Sequence, residues 1–183
     1  MILLNCWKTV NFTKQYGSQR LLFISSMTML ITFILLYIPI AYFLVPTSFY
    51  DNHFIMFVCG LGLMYPLHKF LHYLPLAHTG SKVKKHLDWK FGFYPIINIR
   101  VDEPINKQLF LFALFLPFFF ITASLMIGCF IFPNYGHYFT ILIAFHIGLS
   151  VPDIICGKSI LSAPKHAYIE ENDEGFEILV SNS

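Results

Sequence analysis

Four apolar stretches, each long enough to cross a bilayer, leave this chain few ways to fold. They run from Leu21 to Val45, Phe54 to about Leu76, Leu109 to Phe132 and Tyr138 to about Cys156. A helix of about 20 residues, rising about 1.5 Å each, spans the hydrocarbon layer. Lipid offers no partner to a backbone amide, so such segments must satisfy their hydrogen bonds internally, as helices do. Composition agrees: 56% of the 183 residues are hydrophobic and 12% are charged, against roughly 25% charged in soluble domains. The expected fold class is an all-α membrane protein of four transmembrane helices, with a short β-like cytoplasmic loop and a tail hairpin.

The basic residues set the orientation. Neither Pro46 to His53, between the first two stretches, nor Pro133 to His137, between the last two, contains lysine or arginine. Lys8, Lys14 and Arg20 precede the first stretch; Lys82, Lys84, Lys85, Lys90, Arg100 and Lys107 fall between the second and third; Lys158 and Lys165 follow the fourth. Positive charge collects on the cytoplasmic side, so both termini are expected there, in a multi-pass protein of the cell membrane. The first stretch exceeds the roughly 7–15 residue apolar core of a signal peptide and reads as an uncleaved anchor. A net charge of +2 excludes a nucleic-acid binder. The expected partner is the bilayer, with the basic run Lys82 to His86 suited to anionic headgroups.

Residues 1–20 then form a cytoplasmic lead-in, 21–162 a four-helix transmembrane domain with a cytoplasmic loop at 77–108, and 163–183 a cytoplasmic tail. Within the loop, Phe91 to Val101 reads as extended. In the tail, Ala167 to Glu170 and Phe176 to Val180 read as two strands around an Asn172 to Gly175 turn. Cys6, Cys59, Cys129 and Cys156 show no disulfide spacing and read as reduced.

Chemistry concentrates in two of the apolar stretches. His68 and His72 stand at i and i+4, on one helical face, and an ionisable residue inside a span is a functional candidate. Counting from the outer ends, His68 lies about 14 residues in and Asp153 about 15, roughly 21 and 22 Å of helix, so the two meet at one depth. Two imidazoles and a carboxylate leave the fourth tetrahedral position of zinc open to water. Cys156, one turn past Asp153, is a reserve ligand. The alternative has the histidines reaching the cytoplasmic interface and Asp153 capping a helix after Pro152. His146 lies about eight residues into its span, roughly 10 Å shallower than Asp153. That depth disfavours a haem held between His146 and His68 or His72, and a helix-packing hydrogen bond is expected instead.

His68-Lys69-Phe70-Leu71-His72, the apolar third stretch around Pro117, and Gly148-Leu149-Ser150-Val151-Pro152-Asp153-Ile154 together resemble the zincin peptidase family of small bacterial multi-pass membrane proteins. That family is distantly similar to site-2-type intramembrane metalloproteases, and the resemblance runs from Phe54 into the tail. It implies zinc ligands at His68, His72 and Asp153, and membrane-anchored protein substrates or partners. In a His-Glu-x-x-His site the glutamate is the general base; here Lys69 holds that place. Asp102 and Glu103, in the cytoplasmic loop, are the carboxylates that could fold back in its stead. The expected function is that of a zincin-like membrane protein with a zinc site, an intramembrane metallopeptidase homologue whose proteolysis is lost or weakened. The alternative is a non-catalytic protein that binds transmembrane partners without metal.

Overall fold

The computed structural model describes residues 4–11, 15–43, 48–77, 83–90, 94–101, 104–172 and 175–181, with backbone alone for 83–90, 94–101, 172 and 181. The order of elements is β1 (Leu4–Asn11), α1 (Ser18–Phe43), α2 (Phe54–Ala77), β2 (Val83–Lys90), β3 (Tyr94–Val101), β4 (Ile105–Asn106), α3 (Lys107–Ile131), a 3-10 turn (Pro133–Tyr135), α4 (Gly136–Leu149), α5 (Val151–Leu161), β5 (Tyr168–Asn172) and β6 (Gly175–Ser181). Three helices, α1, α2 and α3, are each long and apolar enough to cross a membrane. The bent pair of Pro133–Leu149 and Val151–Leu161 makes a fourth candidate if counted as one span. Large apolar side chains such as Leu22, Phe23, Leu35, Ile55, Phe119 and Phe130 stand exposed on these helices, an apolar surface compatible with lipid contact.

Two departures from the expected all-α bundle matter for the site. The lead-in is not an isolated segment: β1 pairs antiparallel with β6, completing a four-stranded sheet in the order β1-β6-β5-β4. The tail hairpin is present as β5 and β6, and the loop forms the separate β2-β3 hairpin. The fourth apolar stretch, expected as one helix, is broken at Ser150 and bends by 44°. Pro152 explains the break. It has no N–H to return to the Gly148 carbonyl and its ring crowds that carbonyl, but it is at ease in the first turn of a new helix. Ser150 secures the corner, donating both its backbone N–H (3.0 Å) and its hydroxyl (2.9 Å) to the His146 carbonyl.

The chain divides into two compact units. One contains the four-stranded sheet together with residues 69–115 and 154–183. Its core joins Val10, Ile105, Ile169, Phe176 and Ile178 of the sheet to Phe110, Ala113 and Leu114 of α3 and Cys156 and Ile160 of α5. Asn106 caps α3, its side chain accepting from the Gln108 N–H at 2.8 Å. Lys107 is buried and caps α5 from outside, its ammonium donating to the carbonyls of Leu161 (3.1 Å) and Ala163 (2.6 Å).

The other unit comprises residues 19–68 and 116–153. At one end, the segments following α1 and α3 are tied together: His137 donates to Asp51 at 3.1 Å, Tyr135 to Asn52 at 2.9 Å, and the Tyr50 N–H to the Asn134 carbonyl at 3.0 Å. Further along, α1 meets α4 at Gly148, where an added Cβ would lie 2.9 Å from Met29 Cβ and 3.0 Å from the Ser25 carbonyl oxygen. Only a residue without a side chain permits that approach.

Candidate metal centre

His68 sits on α2 with 2% of its surface exposed. Its Nε2 donates to Asp153 Oδ2 at 2.9 Å. Asp153 occupies the first turn of α5, where the unpaired backbone amides of a helix start favour negative charge; the break at Pro152 that begins a new helix therefore also provides for the carboxylate.

Four residues on in the same unbroken helix, His72 donates from Nδ1 to the Ala113 carbonyl at 2.9 Å. That carbonyl belongs to α3, and its ordinary helical donor would be the amide of residue 117, which is Pro117. Proline has no N–H to give. The proline in the third apolar stretch thereby leaves a backbone acceptor inside a helix, and an imidazole takes it. With its proton on Nδ1, His72 keeps its lone pair on Nε2.

His68, His72 and Asp153 offer ligand atoms that all lie within 4.8 Å of one another. Their chemistry fits zinc. Two imidazole nitrogens and one carboxylate oxygen make the three-ligand set of an open site, and a His72 that donates its other N–H to a backbone carbonyl has the outer support that metal-bound histidines ordinarily have. Ligands at about 2.0–2.1 Å from a tetrahedral ion stand about 3.3 Å apart, so the His68–Asp153 pair would open by a few tenths of an ångström. Cys156, the reserve ligand, is instead buried in the core of the sheet-containing unit. Lys69 is half-buried and follows His68 by about 100° around the helix. Asp102 and Glu103 lie outside the described residues, as do Lys82 and the turn residues Asp173 and Glu174.

Residues 61–168, more than half of the chain, match the family described as "Putative zincin peptidase". The chain belongs to this family. No curated protein and no solved structure matches it. The region shared with the zincin peptidase family contains all three candidate ligands, Lys69, and the Pro117 that frees the Ala113 carbonyl.

His146 makes the helix-packing hydrogen bond expected of it, and one of its partners is a candidate ligand. His146, fully buried, lies against His68, with His146 Nε2 3.1 Å from His68 Nδ1, and its own Nδ1 is 3.1 Å from Thr122 Oγ1. Counting residues along a straight rod separates His146 from Asp153 by two turns, yet both touch the same imidazole. A histidine ring presents its two nitrogens to opposite sides, so its partners can come from different levels of a bent segment. Thr122 is silent in the sequence, where one hydroxyl in an apolar run carries no signal by itself. Its position five residues after Pro117 becomes informative only once α3 and α4 are seen to pack.

Proposed function

We propose that this zincin-family chain is a four-span protein of the cell membrane that holds zinc at His68, His72 and Asp153 and has lost, or greatly weakened, the cleavage of membrane-anchored peptides. The four-residue His–His spacing, with Lys69 where the base of a His-Glu-x-x-His site stands, carries the reading. When bound, zinc supplies a Lewis acid and brings the pKa of its water towards about 7.

The chain's own residues then decide the chemistry. Asp153 and the two Nε2 atoms bind, and the Ala113 carbonyl orients His72. A general base must accept a proton within hydrogen-bond reach of the water. Lys69 as an ammonium has no lone pair to accept it and adds positive charge beside a cation, so it opposes the step that a glutamate would serve. What remains is a site able to hold metal and polarise a carbonyl, without a glutamate next to His68 to complete hydrolysis.

The sheet supports the four-span topology. Strands on opposite sides of a bilayer cannot pair, and β1, β4, β5 and β6 are one sheet. An even number of crossings must therefore separate β1 from β4, which α1 and α2 supply, and β4 from β5, which α3 and the bent α4–α5 pair supply only if that pair crosses once. With the lysine-rich segments flanking the sheet, the positive-inside rule puts it and both termini in the cytoplasm.

A second reading has its own observation: both nitrogens of His68 have protein partners, so the histidines and Asp153 could be a polar network that joins helices without metal. Asp153→Asn separates the two. An amide oxygen still accepts from His68 Nε2–H, so a network survives, whereas a neutral amide is a poor zinc ligand. Metal analysis of protein purified after zinc-supplemented growth should give near one zinc per chain for the unaltered protein and little for Asp153→Asn, with the two metal-free proteins equal in thermal stability. Zinc-free unaltered protein would select the network. For the chemistry, Lys69→Glu should gain cleavage of a transmembrane reporter; robust cleavage by the unaltered protein would overturn the loss of activity.

A further inference from the structure

The zinc reading leaves the fully buried His146 and its half-buried partner Thr122 without a task. A carboxylate only accepts hydrogen bonds, so Asp153 fixes the proton of a neutral His68 on Nε2. His68 Nδ1 must then accept, from His146 Nε2–H at 3.1 Å. His146 Nδ1 in turn must accept, from the Thr122 hydroxyl at 3.1 Å. Every bond in this row runs one way, from Thr122 towards Asp153.

A cation at His68 Nε2 needs the lone pair there, with the proton on Nδ1. The row must then run backwards: His68 Nδ1–H donates to His146 Nε2, and His146 Nδ1–H donates to Thr122 Oγ1. Each ring carries one proton in both arrangements, so the pair neither takes up nor releases any; only the positions change. This reversal demands an end member that can donate or accept. A hydroxyl does both, which a backbone carbonyl, a backbone N–H or a lysine ammonium cannot. Burial raises the stakes, because His146 is fully buried and an unsatisfied ring nitrogen there would have no water to turn to.

We propose that His146 and Thr122 are positioning residues for metal: a reversible row of hydrogen bonds that holds the His68 ring in place and supports whichever nitrogen carries its proton, in the empty and in the loaded site. This rests on the reading of His68 as a zinc ligand. The row explains why His68 tolerates two partners and still serves as a ligand, and it assigns opposite supports to the two histidines: a fixed carbonyl for His72 and a switchable imidazole for His68.

The test measures zinc affinity in detergent by competition with a chromophoric chelator, together with nitrogen NMR of histidine-labelled, zinc-loaded protein. Loss of an outer-shell partner typically weakens metal binding 10–100-fold. His146→Leu is expected in that range. His146→Gln, whose amide offers an acceptor and a donor, should recover to within a few-fold of the unaltered protein, and Thr122→Val should fall between. In loaded protein, His68 should carry its proton on Nδ1. Affinity within twofold for both His146→Leu and Thr122→Val, or His68 protonated on Nε2 in loaded protein, overturns the proposal while leaving the zinc site intact. If His146→Leu fails to fold, Thr122→Val and the NMR signature decide it. No zinc in the unaltered protein overturns both this proposal and the reading beneath it.

Discussion

Replacing Pro117 by alanine should make the protein more stable and its zinc binding weaker, two effects of opposite sign from one change. Proline in a helix interior costs about 3 kcal/mol. Pro117 is fully buried, and alanine would lose two methylenes of packing at about 0.8 kcal/mol each. The difference leaves a gain of about 1 kcal/mol. The new backbone N–H at position 117 would at the same time bond the Ala113 carbonyl, which now accepts from His72 Nδ1 at 2.9 Å. That oxygen has two lone pairs, so His72 is weakened rather than evicted, and the lower end of the outer-shell range applies: about tenfold in zinc affinity, or about 1.4 kcal/mol. Chelator competition and thermal unfolding of metal-free protein in one detergent measure the two terms separately. A rise in stability with zinc affinity unchanged within twofold would refute the claim that the freed carbonyl orients His72. A fall in stability would show that the packing lost with the ring outweighs the gain in helix propensity.

His72→Ala removes a ligand and should lower bound zinc several-fold, read by metal analysis, while Cys156→Ser, away from the ligand group, should leave zinc content unchanged. Gly148→Ala sets a methyl 2.9 Å from Met29 Cβ, and overpacking of this kind costs about 1–3 kcal/mol; thermal unfolding should show α1 loosened, and an unchanged midpoint would deny the close approach. Lys107→Met strips the charged donor from two carbonyls at the end of α5, at about 1.5–3 kcal/mol for a hydrogen bond to a charged group, seen as a lower unfolding midpoint with zinc stoichiometry retained.

The helices are legible in the sequence because their signal is local. Leu21 to Val45 is apolar over more than a bilayer's thickness and needs no partner to be recognised. β2, which the sequence shows only as the basic run Lys82 to His86, is missed, while β3 and the two tail strands are legible from β-branched and aromatic residues set between turn formers. β1 is not. Of its eight residues only Val10 is buried, the alternation of Leu4, Cys6 and Val10 with polar residues is broken at Trp7 and Lys8, and its partner, β6, lies at the opposite end of the chain. What makes Leu4–Asn11 a strand is the edge that β6 presents to it, and an edge is a property of the folded tail.

Within the site, equal depth is enough to bring His68 and Asp153 together, and unequal depth is not enough to keep His146 away. The asymmetry has a physical cause. Agreement in depth places two side chains in the same layer, whereas disagreement separates them only when both helices are straight and both side chains short. Pro152 removes the first condition and the breadth of an imidazole removes the second. Pro152 and Pro117 act by the same means, the absence of an N–H, but at different places in their helices. Pro152, two residues into α5, breaks the ladder and starts the helix that carries Asp153. Pro117, in mid-helix, spares α3 from breaking yet leaves the Ala113 carbonyl for His72. A proline in an apolar span is therefore also a statement about the carbonyl four residues before it. Such a carbonyl, among apolar side chains, calls for a donor from a neighbouring helix, and a histidine such as His72 is the kind of residue that can supply one.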